Sequence, residues 1–477
     1  MSILMPADTK GVLENNARNF ESRSLFFDRF GDPAAKEDER KSWFYNAIEK
    51  AASKHRVKSW RGFLGAICSN PENVVYAQLQ SRLMVNMAGG VMENAGLCLD
   101  RFGMPYIPGS AVKGCARRAA MAALREWCES GQKPGADGGE RDNLFKSACE
   151  PFDEPAQMLT GIASIFGWIE QDWSAESDLQ WACGNDHGEI WKKASQNLAT
   201  DHGWAIAVED RQSPWKSLPN YAGAISFLPA YPLDMGKTGK EAGLPLEVPT
   251  LGRLELDVVT CHHAEYYAGK SAKATDTEQP IPVIYPAVSA GHVFAFAITP
   301  IRKADAKLVN LARKWLITGL KVFGLGAKTN AGYGWFECSE AVQNQIQELL
   351  KEHANRERAE RERQAQEQRR RAEEAERIRQ KQEQQAQLAR LSPEERADWE
   401  IERLTDQQFD TKVRAFCKEP RHGGPTDEQK KAIVRALRGK RLAYWEKFKA
   451  KATKGELATI ANEIRRLSKE MNLGRMP

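Results

Sequence analysis

Residues 324–336 read Gly-Leu-Gly-Ala-Lys-Thr-Asn-Ala-Gly-Tyr-Gly-Trp-Phe, and the part up to residue 334 is called the glycine loop below. Glycine tolerates positive φ angles and lets the backbone come close to a ligand. A lysine, a hydroxyl, an amide and exposed backbone N–H groups together suit a phosphate group. We therefore expect a phosphate or RNA contact here rather than a turn that only reverses the chain. The candidate binding residues are Gly324, Gly326, Lys328, Thr329, Asn330 and Tyr333.

The segments on either side of the glycine loop show the order of secondary structure, from a helix to a strand. Upstream, residues 306–320 place apolar side chains at helical spacing. Downstream, residues 333–336 are typical of a strand. A nucleotide P-loop runs in the opposite order, from strand to helix, and needs Gly-Lys-Ser/Thr, whereas Ala327 separates the glycine from the lysine here. The sequence therefore argues against a nucleoside triphosphatase.

The composition indicates a protein of several units. The chain has 477 residues, and its net charge of +5 does not by itself indicate a nucleic-acid partner. At this length two or three units are expected. The nine cysteines include no Cys-x-x-Cys pair, which argues against a structural zinc site or a disulfide framework and favours a reducing cytosol. We expect a cytoplasmic protein with no cofactor, no metal, no signal peptide and no membrane contact.

Three zones follow one another along the chain. Residues 1–342 are mixed in character, whereas residues 343–391 contain no Gly or Pro and are dominated by Glu, Arg, Gln and Ala. This middle zone predicts a solvated helix with i,i+4 ion pairs, either a spacer or an arm along RNA or a neighbouring subunit. Residues 392–477 predict a small basic helical unit, which either binds RNA or has a merely solvated surface. Its predicted core is Trp399, Phe409, Phe416, Leu437, Leu442, Tyr444, Trp445 and Phe448.

The first zone predicts an α+β domain. The pattern favours a helix over Ala111–Trp127, with Ser110 as its N-cap, and core strand and turn pieces at residues 165–168 and 224–232. The predicted strands are Val74–Asn86, Ala222–Leu228, Arg253–Thr260 and His292–Thr299. The order strand, helix, strands, helix, strand is that of a ferredoxin-like unit with an RRM-type sheet. Such sheets commonly bind single-stranded RNA.

Two further groups of residues are candidates for RNA contact. The first lies at the start of the predicted helix, where free N–H groups and basic side chains suit an anion; an ordinary capped helix is the alternative. The second ends a predicted strand. Adjacent strand residues point to opposite faces, so two neighbouring histidines would not easily share a metal; RNA contact or packing ranks above acid–base catalysis. The residues are Ser110, Lys113, Arg117 and Arg118 in the first group and His262 and His263 in the second.

Several motifs in this order resemble the RAMP superfamily of CRISPR proteins and, within it, the sixth-subunit family of Cmr (type III-B) effector complexes. They are NARNFESRSLFFDRF (16–30), PYIPGSAVKG (105–114), IFG (165–167), AISFLPAYP (224–232), DVVTCHHAEYY (257–267) and GLGAKTNAGYGWF (324–336). The resemblance covers about residues 13–338. Residues 130–150 and 185–215 look like insertions, Cys261 stands where the family more often has proline, and the last 140 or so residues have no counterpart.

The resemblance implies an RRM/ferredoxin-like RAMP core with insertions, followed here by a long charged helix and a small all-α C-terminal unit. It implies a non-catalytic backbone or capping subunit that binds CRISPR guide RNA. The implied partners are the guide and target RNA, other Cmr/RAMP backbone subunits and small helical subunits. The alternative is a metal-independent RAMP endoribonuclease that processes CRISPR precursor RNA, with His262 or His263 as acid or base. A coiled-coil adaptor would leave the glycine loop unexplained.

Overall fold

The computed structural model describes residues 23–28, 36–49, 73–86, 97–135, 143–276, 281–301 and 305–477, with isolated positions between residues 11 and 62. Residues 16–22, where the resemblance begins, lie outside the described residues. The chain divides by its contacts into two units, Met1–Glu357 and Arg358–Pro477. Each unit has a hydrophobic core of its own.

The first unit combines helices with antiparallel strands, which confirms the α+β prediction. The described helices are α1 (Ser24–Asp28), α2 (Glu37–Glu49), α3 (Gly109–Ser130), α4 (Asn143–Cys149), α5 (Pro155–Phe166), α6 (Asp178–Cys183), α7 (His187–His202), α8 (Ala264–Tyr267) and α9 (Ala306–Val322). The described strands are β1 (Val74–Leu79), β2 (Ile225–Phe227), β3 (Tyr231–Pro232), β4 (Leu254–Cys261), β5 (Ile281–Val288), β6 (Val293–Pro300) and β7 (Phe336–Glu337).

One sheet has the strand order β2-β6-β1-β7, with β3 also paired to β6. All its pairings are antiparallel, and Val75 lies opposite Phe296. Helix α3 lies between β1 and β2 along the chain, and helix α9 lies between β6 and β7. Strands β4 and β5 form a separate two-stranded hairpin. The residues at 293–298 of β6 are fully buried, which explains why this strand is a continuous apolar run.

Helices α3 and α9 approach each other closely at a glycine. A Cβ atom at Gly319 of α9 would lie only 2.6 Å from the carbonyl oxygen of Cys115 in α3. The thiol of Cys115 in turn lies 3.6 Å from the carbonyl oxygen of Gly324. Because α9 leads directly into the glycine loop, this close packing determines where the loop begins.

Two local predictions are wrong in their details. The predicted strand Val74–Asn86 is paired as a strand only to Leu79. Beyond it the backbone bonds to other partners: Arg82 O accepts from Gly334 N, and Met84 O accepts from Ala327 N, both at 2.8 Å. Residues 165 and 166, predicted as a strand piece, end helix α5. By contrast, β2, β4, β6 and α9 lie within three residues of their predicted bounds.

The predicted N-cap of helix α3 is also wrong. The helix begins at Gly109 after Pro108, which has extended backbone angles, so Ser110 is inside the first turn. A Cβ atom at Gly109 would lie 2.3 Å from the carbonyl oxygen of Phe227. The start of the helix is therefore determined by its packing against strand β2 and not by a side-chain cap.

The charged zone forms helix α10 (Glu340–Arg390). Its first turns are buried through Val342, Ile346 and Leu349, which pack with β6. Every residue from 358 to 387 is exposed. Ion pairs four residues apart, such as Arg358–Glu362 at 3.1 Å and Arg379–Glu383 at 2.9 Å, support this polar helix.

The second unit continues with α11 (Pro393–Glu402), α12 (Asp406–Arg414), α13 (Asp427–Arg438), α14 (Leu442–Lys451) and α15 (Glu456–Glu470). Side chains of Ser392, Thr405 and Thr426 cap α11, α12 and α13. Of the eight predicted core residues, five are buried: Phe409, Phe416, Leu437, Trp445 and Phe448. Tyr444 is half-buried beside this core, and Trp399 is half-buried beneath Arg403. Leu442 is exposed, since it occupies the outer side of the first turn of α14.

Acidification is expected to destabilise the first unit through His292. This side chain is 2% exposed, and its Nδ1 lies 2.7 Å from the carbonyl oxygen of Ser289. Burial lowers the pKa of His292 to about 4, and the charges of Arg23 and Arg253 act in the same direction. An unfolded histidine has a pKa near 6.5, so only the unfolded state takes up this proton as the pH falls from about 6.5 to about 4. The stability is therefore lost across that window, by about 3 kcal/mol.

Denaturant unfolding of the wild type and of His292→Gln at several pH values measures this contribution. The variant keeps a polar side chain that does not titrate, so its stability should change less between the two pH limits. An identical pH dependence in both proteins would contradict the assignment.

Candidate nucleic-acid interface

The backbone of the glycine loop turns around Lys328. This residue has a left-handed φ of 58°, and a single 3-10 turn, Thr329–Ala331, follows it before Gly332. None of the described residues accepts a hydrogen bond from the backbone N–H groups of Lys328, Thr329 and Asn330. Successive N–H groups around a left-handed residue form a concave group of donors that suits an anion.

Two glycines of the loop are required by its own packing. A Cβ atom at Gly334 would lie 1.9 Å from the carbonyl oxygen of Leu325, and one at Gly326 would lie 2.3 Å from that of Met84. Both residues have positive φ angles. Around Gly332, by contrast, no atom lies within 4 Å of such a Cβ. The glycines at 326 and 334 therefore serve the fit of the loop against the chain, a role that its sequence alone did not reveal.

A polar network attaches the loop to the β4–β5 hairpin. The hydroxyl of Tyr333 lies 2.7 Å from that of Tyr285 and donates to the carboxylate of Asp257. Arg82 also contacts Asp257, at 2.8 Å. Burial raises the pKa of Asp257, but the hydrogen bond from Tyr333 and the positive charge of Arg82 outweigh it and lower that pKa overall. Burial and the same hydrogen bond raise the pKa of Tyr333, so this hydroxyl stays a neutral donor.

Lys328 supplies the positive charge of the loop. Its ammonium lies 4.7 Å from the ring centre of Tyr285. No carboxylate of the described residues lies within ion-pair distance of it. A lysine above an aromatic ring can still receive an anion.

Two of the four residues predicted on helix α3, Lys113 and Arg117, contact other parts of the protein. Lys113 donates to the carbonyl oxygen of Phe166 at 2.7 Å, at the end of α5, and burial lowers the pKa of its ammonium. Arg117 is paired with Asp178. Both side chains therefore serve protein contacts that the sequence did not indicate.

Ser110, Gly114 and Arg118 are exposed and are spaced four residues apart, which places them on one side of α3. The guanidinium of Arg118 lies 4.3 Å from the ring centre of Phe323, the residue before Gly324. The structure thus brings Arg118 to the start of the glycine loop. We call the exposed side of α3 (Ser110, Gly114 and Arg118) together with Lys328, Thr329 and Asn330 the α3–loop surface.

The two histidines lie elsewhere. His262 is exposed at the end of β4, and the Nδ1 of His263 lies 3.1 Å from the carbonyl oxygen of Thr275. His262 is five positions after Asp257, the residue that contacts the loop, and this spacing corresponds to about 17 Å along an extended strand. The hairpin does present exposed apolar side chains that the prediction missed: Val258, Val259, Tyr266 and Tyr267. The adjacent tyrosines were the available signal, since aromatic rings stack on unpaired RNA bases.

No group of three or more His, Cys, Asp or Glu side chains in the described ranges could hold a metal ion. Within those same ranges, every helix is too short or too polar to cross a lipid bilayer.

A family model described as the RAMP superfamily matches residues 87–337. This range covers more than half of the chain and includes α3, the β4–β5 hairpin and the glycine loop. The chain belongs to the RAMP superfamily. Helix α10 and the second unit of this RAMP protein lie outside the matched range.

The RAMP protein is 24% identical over 259 residues to the CRISPR system Cmr subunit Cmr6 of Pyrococcus furiosus, a match over 54% of this chain and 64% of that protein. It thus spans less than two thirds of that relative. The crystal structure of Cmr6 from the same organism matches 55% of this chain and 96% of that chain, with 20% identity and a TM-score of 0.26. A chain of the type III-B Cmr-beta complex bound to cognate target RNA matches 70% of this chain and 89% of that chain, with 14% identity and a TM-score of 0.34.

Proposed function

We propose that this RAMP protein is a non-catalytic backbone or capping subunit of a type III-B CRISPR effector complex and that it binds guide RNA. The proposal is supported by the α3–loop surface, where the N–H groups of the loop are unpaired, Lys328 supplies a positive charge and Arg118 lies against Phe323 at the start of the loop. The likeness to Cmr6 supports the choice of complex. Target RNA, other Cmr/RAMP subunits and small helical subunits are the proposed partners.

The proposed core is a ferredoxin-like unit. The order β2-β6-β1-β7, with helices after β1 and after β6, supports it, because this is the order of a split β-α-β arrangement. We further propose that residues 1–342 form this RAMP domain, that residues 343–391 form a helical linker and that residues 392–477 form a helical domain.

In this proposal the predicted residues have different roles. Lys328, Thr329, Asn330, Ser110 and Arg118 contact phosphate groups. Lys113, Arg117 and Tyr333 position these elements through the contacts described above, and Gly324 and Gly326 shape the loop. His262 and His263 form a separate RNA contact at the tip of the hairpin. An endoribonuclease would need a histidine beside the bound phosphate, and the distance along β4 favours the non-catalytic alternative.

Removing the charges of the α3–loop surface is expected to weaken RNA binding and its salt dependence. On a single strand, each neutralised phosphate contributes about 0.7 to the slope of log affinity against log salt concentration. Arg118→Ala/Lys328→Ala should therefore lower that slope by about 1.4. Fluorescence anisotropy with a labelled single-stranded RNA, over a range of salt concentrations, measures it.

Lys314→Ala/Lys193→Ala is the matched control, because it removes two charges from lysines that already pair with Glu150 and Glu154. The control should bind RNA with nearly the wild-type slope. Equal slopes for both double variants would remove the support for this surface. Cleavage of precursor RNA by the pure protein, lost in His262→Ala/His263→Ala, would instead favour the endoribonuclease.

A further inference from the structure

The positive charge of the chain is concentrated after helix α10. Residues 392–477 contain 20 Lys and Arg against 14 Asp and Glu, whereas residues 1–391 contain 49 against 50. This segment lies outside the range that matches the RAMP superfamily. Its charge therefore calls for an explanation that the family does not provide.

Many basic side chains of residues 392–477 are already paired with carboxylates. Arg435 contacts Asp398 at 2.9 Å, and Lys431 contacts Glu428 at 3.2 Å. Such pairs compensate charge locally and leave little for an external anion.

Three lysines of α14 and the turn after it are different. Lys447, Lys451 and Lys454 are exposed, and within the second unit, all of which is described, no carboxylate lies within ion-pair distance of them. The spacing of four residues places Lys447 and Lys451 on one side of α14, and Lys454 follows three residues after the helix ends. The hydrogen bond from Tyr444 lowers the pKa of Asp410, and the positive charge of Lys451 contributes to this lowering. The carboxylate of Asp410 already accepts hydrogen bonds from Arg414 at 2.7 Å and from the hydroxyl of Tyr444 at 2.5 Å.

The other side of α14 is turned into the protein. Trp445 is fully buried and Phe448 is 6% exposed, and both belong to the core of the second unit. A helix that binds a bilayer surface needs its apolar side free to enter the lipid. The side of α14 that remains accessible offers positive charge on a helix held in place by the core.

We propose that Lys447, Lys451 and Lys454 bind the phosphate backbone of single-stranded RNA, as a second contact separate from the α3–loop surface. Lys447 and Lys451 are about 6 Å apart along the helix axis, and Lys454 lies three residues beyond the end of α14, so one strand can contact all three. Ammonium groups act as point charges on phosphate and read no bases, so this contact is independent of sequence. This inference rests on the proposed function only for the choice of RNA over DNA as the ligand.

Acetylation of lysines in the full chain, with and without an unstructured single-stranded RNA, tests the proposal residue by residue. Mass spectrometry should show that RNA reduces acetylation of Lys447, Lys451 and Lys454 several-fold, that high salt abolishes this protection, and that Lys430 and Lys431 are unaffected. The same digest reports on Lys328 and hence on the proposed function. Protection of Lys328 without protection of the α14 lysines would overturn the inference alone. Equal protection by polyglutamate, a polyanion without phosphate groups, would overturn a nucleic-acid backbone as the ligand.

A matched pair of triple variants separates this contact from a general effect of charge. Lys447→Gln/Lys451→Gln/Lys454→Gln removes three unpaired charges, and Lys430→Gln/Lys431→Gln/Lys440→Gln removes three that pair with Asp427, Glu428 and Glu402. The first should lower the salt slope of RNA binding by about 2, and the second should leave it nearly unchanged. Equal slopes in the two variants, both with wild-type circular dichroism, would contradict the proposal.

Discussion

Gly334→Ala is expected to disrupt the glycine loop and to destabilise the first unit by about 3 kcal/mol. The new Cβ would lie 1.9 Å from the carbonyl oxygen of Leu325, and φ at this position is +66°. The loop must move, which breaks the 2.8 Å bonds from Leu325 N to Gly334 O and from Gly334 N to Arg82 O. Chemical denaturation measures the loss, and RNA binding should fall with it because Lys328 and its neighbours lose their arrangement.

Gly332→Ala is the matched control for this prediction. Gly332 also has a positive φ, of 91°, but no atom lies within 4 Å of a Cβ added at this position. Only the left-handed strain remains, at about 1 kcal/mol. If the two alanine variants were equally stable, the close contact with Leu325 would not be what requires glycine at position 334.

Trp315→Ala is expected to cost about 4 kcal/mol, since large buried aromatic side chains lose their packing and leave a cavity. Trp315 is fully buried in α9, where its ring lies 5.7 Å from that of Phe166 and 6.3 Å from that of Phe152. Its indole N–H donates to the carbonyl oxygen of Ala148 at 3.1 Å. The side chain therefore joins α9 to α4 and α5, and its loss should also weaken RNA binding because α9 leads into the glycine loop.

Hydrogen exchange of the β6 amides, together with the first unfolding transition, measures the effect of Trp315→Ala on the first unit. Trp181→Ala is the control: this ring is 50% exposed, and it lies 4.5 Å from the guanidinium of Arg125. That contact is worth about 0.5–1 kcal/mol. A larger loss in Trp181→Ala than in Trp315→Ala would contradict the proposed role of the core.

Local pattern was a good guide to the elements and a poor guide to the partners of their side chains. The apolar run of β6 and the helical spacing of α9 predicted those elements within about two residues, because burial imposes these periods directly. The composition of residues 343–391 likewise predicted a helix, since it lacks glycine and proline. The glycine loop was singled out correctly as a segment with special backbone conformation.

The sequence by itself determined the order of helices and strands, the charged helix and the stretch with glycine-dependent geometry, because these depend on neighbours a few residues away. Only the tertiary structure decided which cations stay free. The ammonium of Lys113 donates to the carbonyl oxygen of Phe166, 53 residues later in the chain. Arg118 instead lies against the ring of Phe323 at the start of the glycine loop. It also decided that Tyr333 is held by Asp257, 76 residues earlier in the chain. Such contacts depend on packing between distant segments, and no local spacing encodes them.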